Sequence, residues 1–291
     1  MKTTLDCLPC FLKQALHTAR LTTVAAGVHE EIMKQAIAFL GRVNFSLSPP
    51  ENAVALYEMI AAISACNDPF IELKKESNRF ALALKPQVRR QIDESVDPLY
   101  AALLFSMAGN IIDYGSLHQF DMEQTIRQAL ALEPVINDFP AFTADLAHAR
   151  RVLYLADNSG ELVFDSLVIE KLGKDVTFVV KERPIINDAL REDAQSCGLE
   201  TICTVISNGT GCPGTPLAAC SDELQRLFRA ADLIISKGQG NFETLSEVQA
   251  PLYFLLTVKC PVVRDHIEQI SGRTADIGRT VLLKGIHHEW K

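Results

Sequence analysis

Apolar residues in the first half of the chain recur every three or four positions, as Ala53, Leu56, Tyr57, Ile60 and Ile63 do. That period places them on one stripe of a helix. Breaks at Gly27, Ser48-Pro49-Pro50, Asp68-Pro69, Lys85-Pro86 and Asp97-Pro98 divide the region. The pattern predicts helices over about 4–25, 29–43, 51–64, 69–84, 98–113 and 121–132, and no strand. From Arg151 the period changes. Short unbroken apolar runs at 152–156, 176–180, 201–206, 232–236, 252–256 and 280–283 alternate with helical stretches such as 161–172 and 222–231. Such runs predict a parallel sheet covered by helices on both faces, an α/β fold. The expected division is a helical subdomain at 1–149 and an α/β core at 150–291, together one integrated domain.

Composition narrows the function classes. With 48% hydrophobic and 22% charged residues the chain is an ordinary globular sequence, neither disordered nor fibrous. Its 28 basic and 36 acidic residues leave a net charge of −8, which disfavours nucleic acid or an anionic membrane as the main partner. A small anion in a local positive pocket stays open. No apolar run reaches the ~20 residues that cross a bilayer, and the N-terminus carries no secretory signal pattern. The expected compartment is the cytoplasm, with the eight cysteines mostly reduced. The oligomeric state is not set by these features.

Cys7-Leu8-Pro9-Cys10 puts two thiols on one face at the start of a helix. The pair suits half of a second metal site, a redox couple or a structural role. No second C-x-x-C completes a zinc site, and no strand precedes the pair as in a thioredoxin-like motif.

Polar residues gather where the expected strands end. The first ends in Asp157-Asn158-Ser159-Gly160-Glu161, the second in Lys181 leading to Asn187-Asp188, and the third in Ser207-Asn208-Gly209. The fourth ends in Lys237-Gly238-Gln239-Gly240-Asn241 and the fifth near Lys259. Ligands of open parallel sheets bind at this edge. Asp157, Asn158 and Asp188 offer hard oxygens suited to Mg²⁺ or Mn²⁺. Lys237 and Lys259 offer charge for a phosphate, and the amides around Gly238 and Gly240 can face an anion. The same residues also suit a helix cap and a strand-to-helix turn. Asn110 and Asp113 lie three apart at the end of an apolar helix, as a buried polar pair or as one wall of a cleft. The seven histidines show no ligand spacing. No G-x-S-x-G, P-loop or G-x-G-x-x-G is present, so serine-hydrolase, nucleotide-kinase and ordinary dehydrogenase readings lose support.

These segments resemble the damage-control phosphatases, also called acidic-residue-methyltransferase-like or domain of unknown function 89. The resemblance is carried by Asp157-Asn158-Ser159-Gly160-Glu161 with Asp165, by 181–188 with Asp193-Ala194, and by 231–245 with its Lys237-Gly238-Gln239-Gly240-Asn241. Residues 255–262, Gly109-Asn110 with Asp113, and Asp68-Pro69 with Lys75 and Asn78 match as well, and the N-terminal Cys7-x-x-Cys10 is similar to the stand-alone prokaryotic branch. The resemblance implies a three-layer α/β/α Rossmann-like core with an N-terminal helical subdomain. It implies a metal-dependent phosphatase acting on small phosphorylated metabolites such as sugar phosphates, with manganese, magnesium, cobalt or nickel as cofactor. By motif position Asp157, Asn158 and Asp188 would hold the metal. Lys237 with its glycine-rich turn and Lys259 would bind phosphate, with Glu161, Lys181, Asn208, Asn241, Asn110 and Asp113 around the substrate. The nucleophile is metal-bound water or an aspartate carboxylate, and water is the simpler choice because Asp157 is given to the metal and no D-x-D motif follows the strand. The alternatives are a carboxyl methyltransferase using S-adenosylmethionine and a non-catalytic metal- or metabolite-binding protein. Lys181 stands where an adenosylmethionine site would want an acid.

Overall fold

The computed structural model describes residues 1–22, 26–112 (the backbone alone for 110–112) and 133–286. Five helices come first: α1 (Cys7–Leu21), α2 (Ala26–Leu40), α3 (Pro49–Ser64), α4 (Ile71–Asp93) and α5 (Pro98–Ile112). The α/β part then runs β1 (Ile136–Asn137), α6 (Phe139–His148), β2 (Arg151–Leu155), α7 (Glu161–Leu172), β3 (Asp175–Val180), α8 (Arg191–Ser196) and β4 (Thr204–Ser207). It ends with α9 (Asp222–Ala230), β5 (Leu233–Lys237), α10 (Gln239–Leu245), β6 (Leu252–Thr257), α11 (Pro261–Ser271) and β7 (Thr280–Lys284).

The seven strands form one sheet in the order β1-β7-β6-β5-β2-β3-β4. All neighbouring pairs are parallel except β6 and β7. The chain passes from β2 outward through β3 to β4, then returns to the other side of β2 with β5. The sheet therefore reverses direction between β2 and β5, and the crevice outside their carboxyl ends is where such folds bind ligands. One core lies between the sheet and α4, α5, α6 and α7, and a second lies on the opposite face against α9, α10 and α11. Helices α1, α2 and α3 enclose a smaller cluster around Phe11, Ile32 and Leu56. Because α4 and α5 share a core with the sheet, the expected boundary at 149/150 falls inside continuous packing.

Most expected elements are present, and the departures have physical reasons. Helix α4 continues through Pro86 to Asp93, because Leu84, Val88 and Ile92 keep the apolar stripe buried beyond the proline. Helix α3 starts at Pro49, with Ser48 and Glu51 closing a capping box through Ser48 N–H to Glu51 Oε2 at 2.9 Å. The region before Arg151 is not wholly helical: β1 pairs with β7, and two residues are too few to show a strand period. Residues 199–201 form a 3₁₀ turn, so β4 begins later than the apolar run. The helix expected over 121–132 lies outside the described residues.

Candidate active site

Two loops at the carboxyl edge are stitched together by their backbones. After β2, Asp157 accepts at its carbonyl from Ala189 N–H at 2.9 Å, and Ser159 N–H donates to Asn187 O at 2.9 Å. Lys181 N–H donates to Ala189 O at 2.9 Å, and Asn158 pairs with Asp188 as an isolated antiparallel bridge. The second loop turns through Ile186, whose φ of +44° is a left-handed conformation costly for a β-branched residue. That turn delivers Asp188 opposite Asn158.

The side chains brought together fit a hard cation. Asp188 is buried, and its Oδ2 has no hydrogen-bond partner, with Lys181 Nζ 3.6 Å away. Asp157 is partly exposed. Burial pushes both carboxyls up to about 6. For Asp157 the charge of Asp188 adds to the rise, while Lys259, Lys181 and Lys237 oppose it. For Asp188 the opposing charge is mainly Lys181. Asn158 donates from Nδ2 to Asp157 Oδ2 at 3.0 Å and to Glu161 Oε1 at 2.7 Å, which leaves its carbonyl oxygen as the donor atom for a metal. Two mutually repelling carboxyls, one with a buried oxygen that makes no hydrogen bond, are the arrangement a divalent cation relieves. Among the described residues no group of three or more His, Cys, Asp or Glu is arranged to hold a metal; this set has two carboxylates and one amide.

Lys237 is central to this layer but faces inward. Its Nζ donates to Asp165 Oδ1 at 2.8 Å, to Glu161 Oε2 at 3.1 Å and to Ser106 O at 3.1 Å. All three donors are thus committed to α5 and α7. Burial alone would lower its pKa, and the two carboxylates overcome that and raise it. Burial pushes Glu161 up to about 7, with Lys237 opposing. Asp165 also accepts from Ser106 Oγ at 2.6 Å and Tyr154 Oη at 2.7 Å. This ion cluster supports the Asp157 loop from below, and the phosphate role expected for Lys237 has no free donor behind it.

The glycine turn after β5 exists because of a close approach. A Cβ on Gly238, at φ +81°, would lie 2.0 Å from Asp157 Oδ2, and one on Gly240 would lie 1.7 Å from Pro213 O. Asn241 ties the loops together, donating to Ala156 O at 3.0 Å and Lys237 O at 2.8 Å while accepting from Thr215 Oγ1 at 2.7 Å. Lys181 donates to Gly214 O at 2.9 Å and is buried. Lys259 is the exposed cation of the group, and its backbone N–H donates to Gln239 Oε1 at 3.0 Å. Its charge reaches both Asp157 and Asp188.

Other expected residues stand apart. Asn208 shapes the loop after β4, accepting from Thr210 N–H at 3.0 Å, and its buried Nδ2 has no partner. The side chain of Asn110 and the whole of Asp113 lie outside the described residues, although Gly109 packs against Glu161. Cys7 is buried and Cys10 exposed in the first turn of α1, with bonds to Thr4 and Gln14. Cys260 is near enough to raise Cys10, although burial is the larger cause.

Asn78 was legible by motif, but its work was not. On α4 it accepts from Gly160 N–H at 2.7 Å and donates to Asp193 Oδ1 at 2.7 Å. Beside it Lys74, rather than the exposed Lys75, is buried and pairs with Asp68 at 2.6 Å. The (i, i+4) spacing of Glu161 and Asp165 on one helix was the available signal for the Lys237 cluster.

Comparison with known proteins places this geometry. Residues 3–273 match the damage-control phosphatase ARMT1-like domain. The chain is 33% identical to the damage-control phosphatase PH1575 of Pyrococcus horikoshii, over 94% of this chain and 96% of that protein. It is 31% identical to a damage-control phosphatase of Archaeoglobus fulgidus, over 95% and 99% respectively. The crystal structure of the Pyrococcus horikoshii DUF89 family protein superposes with a TM-score of 0.90 at 32% identity, covering 98% of this chain and all of the other.

Proposed function

Since this chain belongs to the damage-control phosphatase ARMT1-like family, we propose that it is a metal-dependent phosphomonoester hydrolase acting on small phosphorylated metabolites. The observation that carries the metal requirement is the Asn158–Asp188 bridge, which sets two raised carboxyls side by side with Asp188 Oδ2 lacking a hydrogen bond and facing Lys181 at 3.6 Å. Asp157, Asn158 and Asp188 would hold the ion. When bound, a divalent cation such as manganese, magnesium, cobalt or nickel neutralises charge on the phosphoryl group and polarises phosphorus.

The protein's own groups do the rest. Lys259, exposed beside the carboxylates, draws the dianionic phosphate into the crevice and balances its charge. Lys181 fixes Asp188 from behind, and the Lys237–Glu161–Asp165 cluster fixes the start of α7. Asp157 is partly exposed at the crevice and is given to the ion, so in this reading water is the nucleophile that adds to phosphorus as the alcohol leaves. Glu161, enclosed and raised to about 7, keeps Asn158 oriented through its 2.7 Å bond.

The methyltransferase alternative gains no observation, because β3 ends in the buried Lys181 rather than in an acid. Among the described residues no helix is long and apolar enough to cross a membrane, in keeping with a small diffusible substrate. The test is phosphate release from p-nitrophenyl phosphate and a panel of sugar phosphates, with each divalent ion and with a chelator. Hydrolysis that needs the ion and disappears in Asp157→Asn supports the proposal. Equal rates with chelator present end it.

A further inference from the structure

A cavity of about 300 Å³ opens beside the turn that carries Asp188. It lies between α3 with the 66–70 segment on one side and residues 183–186 with Gly211 on the other. Ile185 and Ile186 form part of its wall, and Ile185 O accepts from Asp188 N–H at 3.1 Å. Asp188 follows this wall by two residues and is tied to it through its backbone, while its carboxylate, Asp157 and Asn158 lie outside the lining. Its size is at the lower end of small-molecule sites, roughly 300–1,000 Å³.

The charged groups of its lining are unequal. Asp68 is neutralised by Lys74 at 2.6 Å. Glu58 makes no ion pair with Arg183. Arg183 is the cationic residue in the lining, it is exposed, and it makes no hydrogen bond or ion pair with any described residue. Its neighbour Glu182 is bonded to Ser207 instead. The Arg183 stem lies along the backbone of Gly211, where a Cβ would stand 3.3 Å from Arg183 Cβ. Glu182 N–H donates to Thr210 O at 3.1 Å and holds the two loops together. Arg183 thus lines a substrate-sized space, its stem against Gly211 and its fork of donors unused among the described residues.

We propose that this cavity receives the alcohol part of the phosphate ester, and that Arg183 selects esters whose alcohol carries a second anionic group, a carboxylate or another phosphate. The proposal rests on the phosphatase reading and names its substrate class. A bidentate pair between Arg183 and a second anion favours such an ester by about tenfold or more over the uncharged analogue.

The matched probes are 6-phosphogluconate and sorbitol 6-phosphate, which differ only by a carboxylate against a hydroxymethyl group at the far end. With Mn²⁺, the ratio of kcat/KM for the two esters is measured for the wild type, Arg183→Lys and Arg183→Gln. The wild type is expected to prefer 6-phosphogluconate at least tenfold, Arg183→Lys to keep part of that preference, and Arg183→Gln to bring the ratio near one. Any loss common to both esters cancels in the ratio. A wild-type ratio near one, or a ratio unchanged in Arg183→Gln, overturns the proposal. Calorimetric affinities for the same two esters separate the layers. If the wild type hydrolyses neither ester nor p-nitrophenyl phosphate, the phosphatase reading fails, and the affinity ratio still decides the role of Arg183.

Discussion

The backbone amide of Gly160 donates to the side-chain oxygen of Asn78 at 2.7 Å, joining α4 to the first turn of the metal loop. The same Asn78 holds Asp193 at 2.7 Å, and Asp193 accepts from Leu190 N–H at 2.9 Å, just beyond the second loop. One side chain from the helical region thus braces both loops that meet at the Asn158–Asp188 bridge. Asn78→Ala leaves the Gly160 amide and one Asp193 oxygen without partners. At about 1–3 kcal/mol for each buried unsatisfied group, the expected loss is about 2–6 kcal/mol. Urea unfolding measures it, and a fall in kcat is expected alongside. A variant as stable and active as the wild type would mean the brace carries neither loop.

Asp157→Asn separates metal binding from folding. Asp157 has a native pKa of about 6, above its ordinary value of 3.8. The native state therefore holds more protons than the unfolded chain between those values. Its stabilising contribution is complete below about pH 4 and disappears as pH rises through 6. In chelator at pH 8 the neutral amide is expected to make the protein more stable than wild type, by about 1–2 kcal/mol. The same variant loses the thermal shift that Mn²⁺ gives the wild type. Melting curves with and without Mn²⁺ at pH 5 and pH 8 read both effects. A metal-free variant less stable than wild type at pH 8 would contradict the electrostatic account of the pair.

Two glycines of positive φ differ in what surrounds them and in ψ, which is 162° at Gly238, a region essentially only glycine adopts, and 17° at Gly198, left-handed helical. Gly238 and Gly198 have φ of +81° and +77°, but a Cβ on Gly198 meets nothing within 4 Å, whereas one on Gly238 falls on the Asp157 carboxylate. Gly198→Ala carries the left-handed strain alone, about 1–2 kcal/mol. Gly238→Ala adds both the glycine-only backbone region and displacement of Asp157, so it is expected to unfold earlier and to lose Mn²⁺-dependent hydrolysis, while Gly198→Ala keeps it. Matched activities in the two variants would refute the close approach.

The edge of the sheet was readable because its strands change abruptly from apolar to polar. Asp157, Asn158, Asp188 and Lys259 are where that change predicts, and the order of strands then makes them converge. Lys237 was correctly placed at the edge, yet its role was hidden. A lysine after an apolar strand looks alike whether it turns outward to an anion or inward to Glu161 and Asp165. Only the packing of α5 against α7 decides that. Arg183 was equally silent, since its cavity forms between segments more than a hundred residues apart. Strand β1 escaped because two residues carry no period, and the length of α4 because an internal proline reads as a stop.

Lys237→Met tests the inward role directly. Methionine has a similar volume and leaves Glu161 and Asp165 buried without their cation. Removing one partner of a buried ionic group costs about 3–5 kcal/mol. The pH dependence identifies the cause. Lys237 opposes the rise of Glu161, so without it Glu161 holds its proton more strongly in the native state than in the unfolded chain. The native variant binds the extra protons at low pH, so the loss is smallest near pH 5 and grows as pH rises past 7. Ser106 and Tyr154, both bonded to Asp165, keep part of the network in place. Chemical unfolding at pH 5 and pH 8 should therefore give a larger deficit at the higher pH, with kcat reduced as the Asp157 loop loses its support. A Lys237→Met protein of wild-type stability at both pH values, with only KM raised, would instead assign Lys237 to the phosphate.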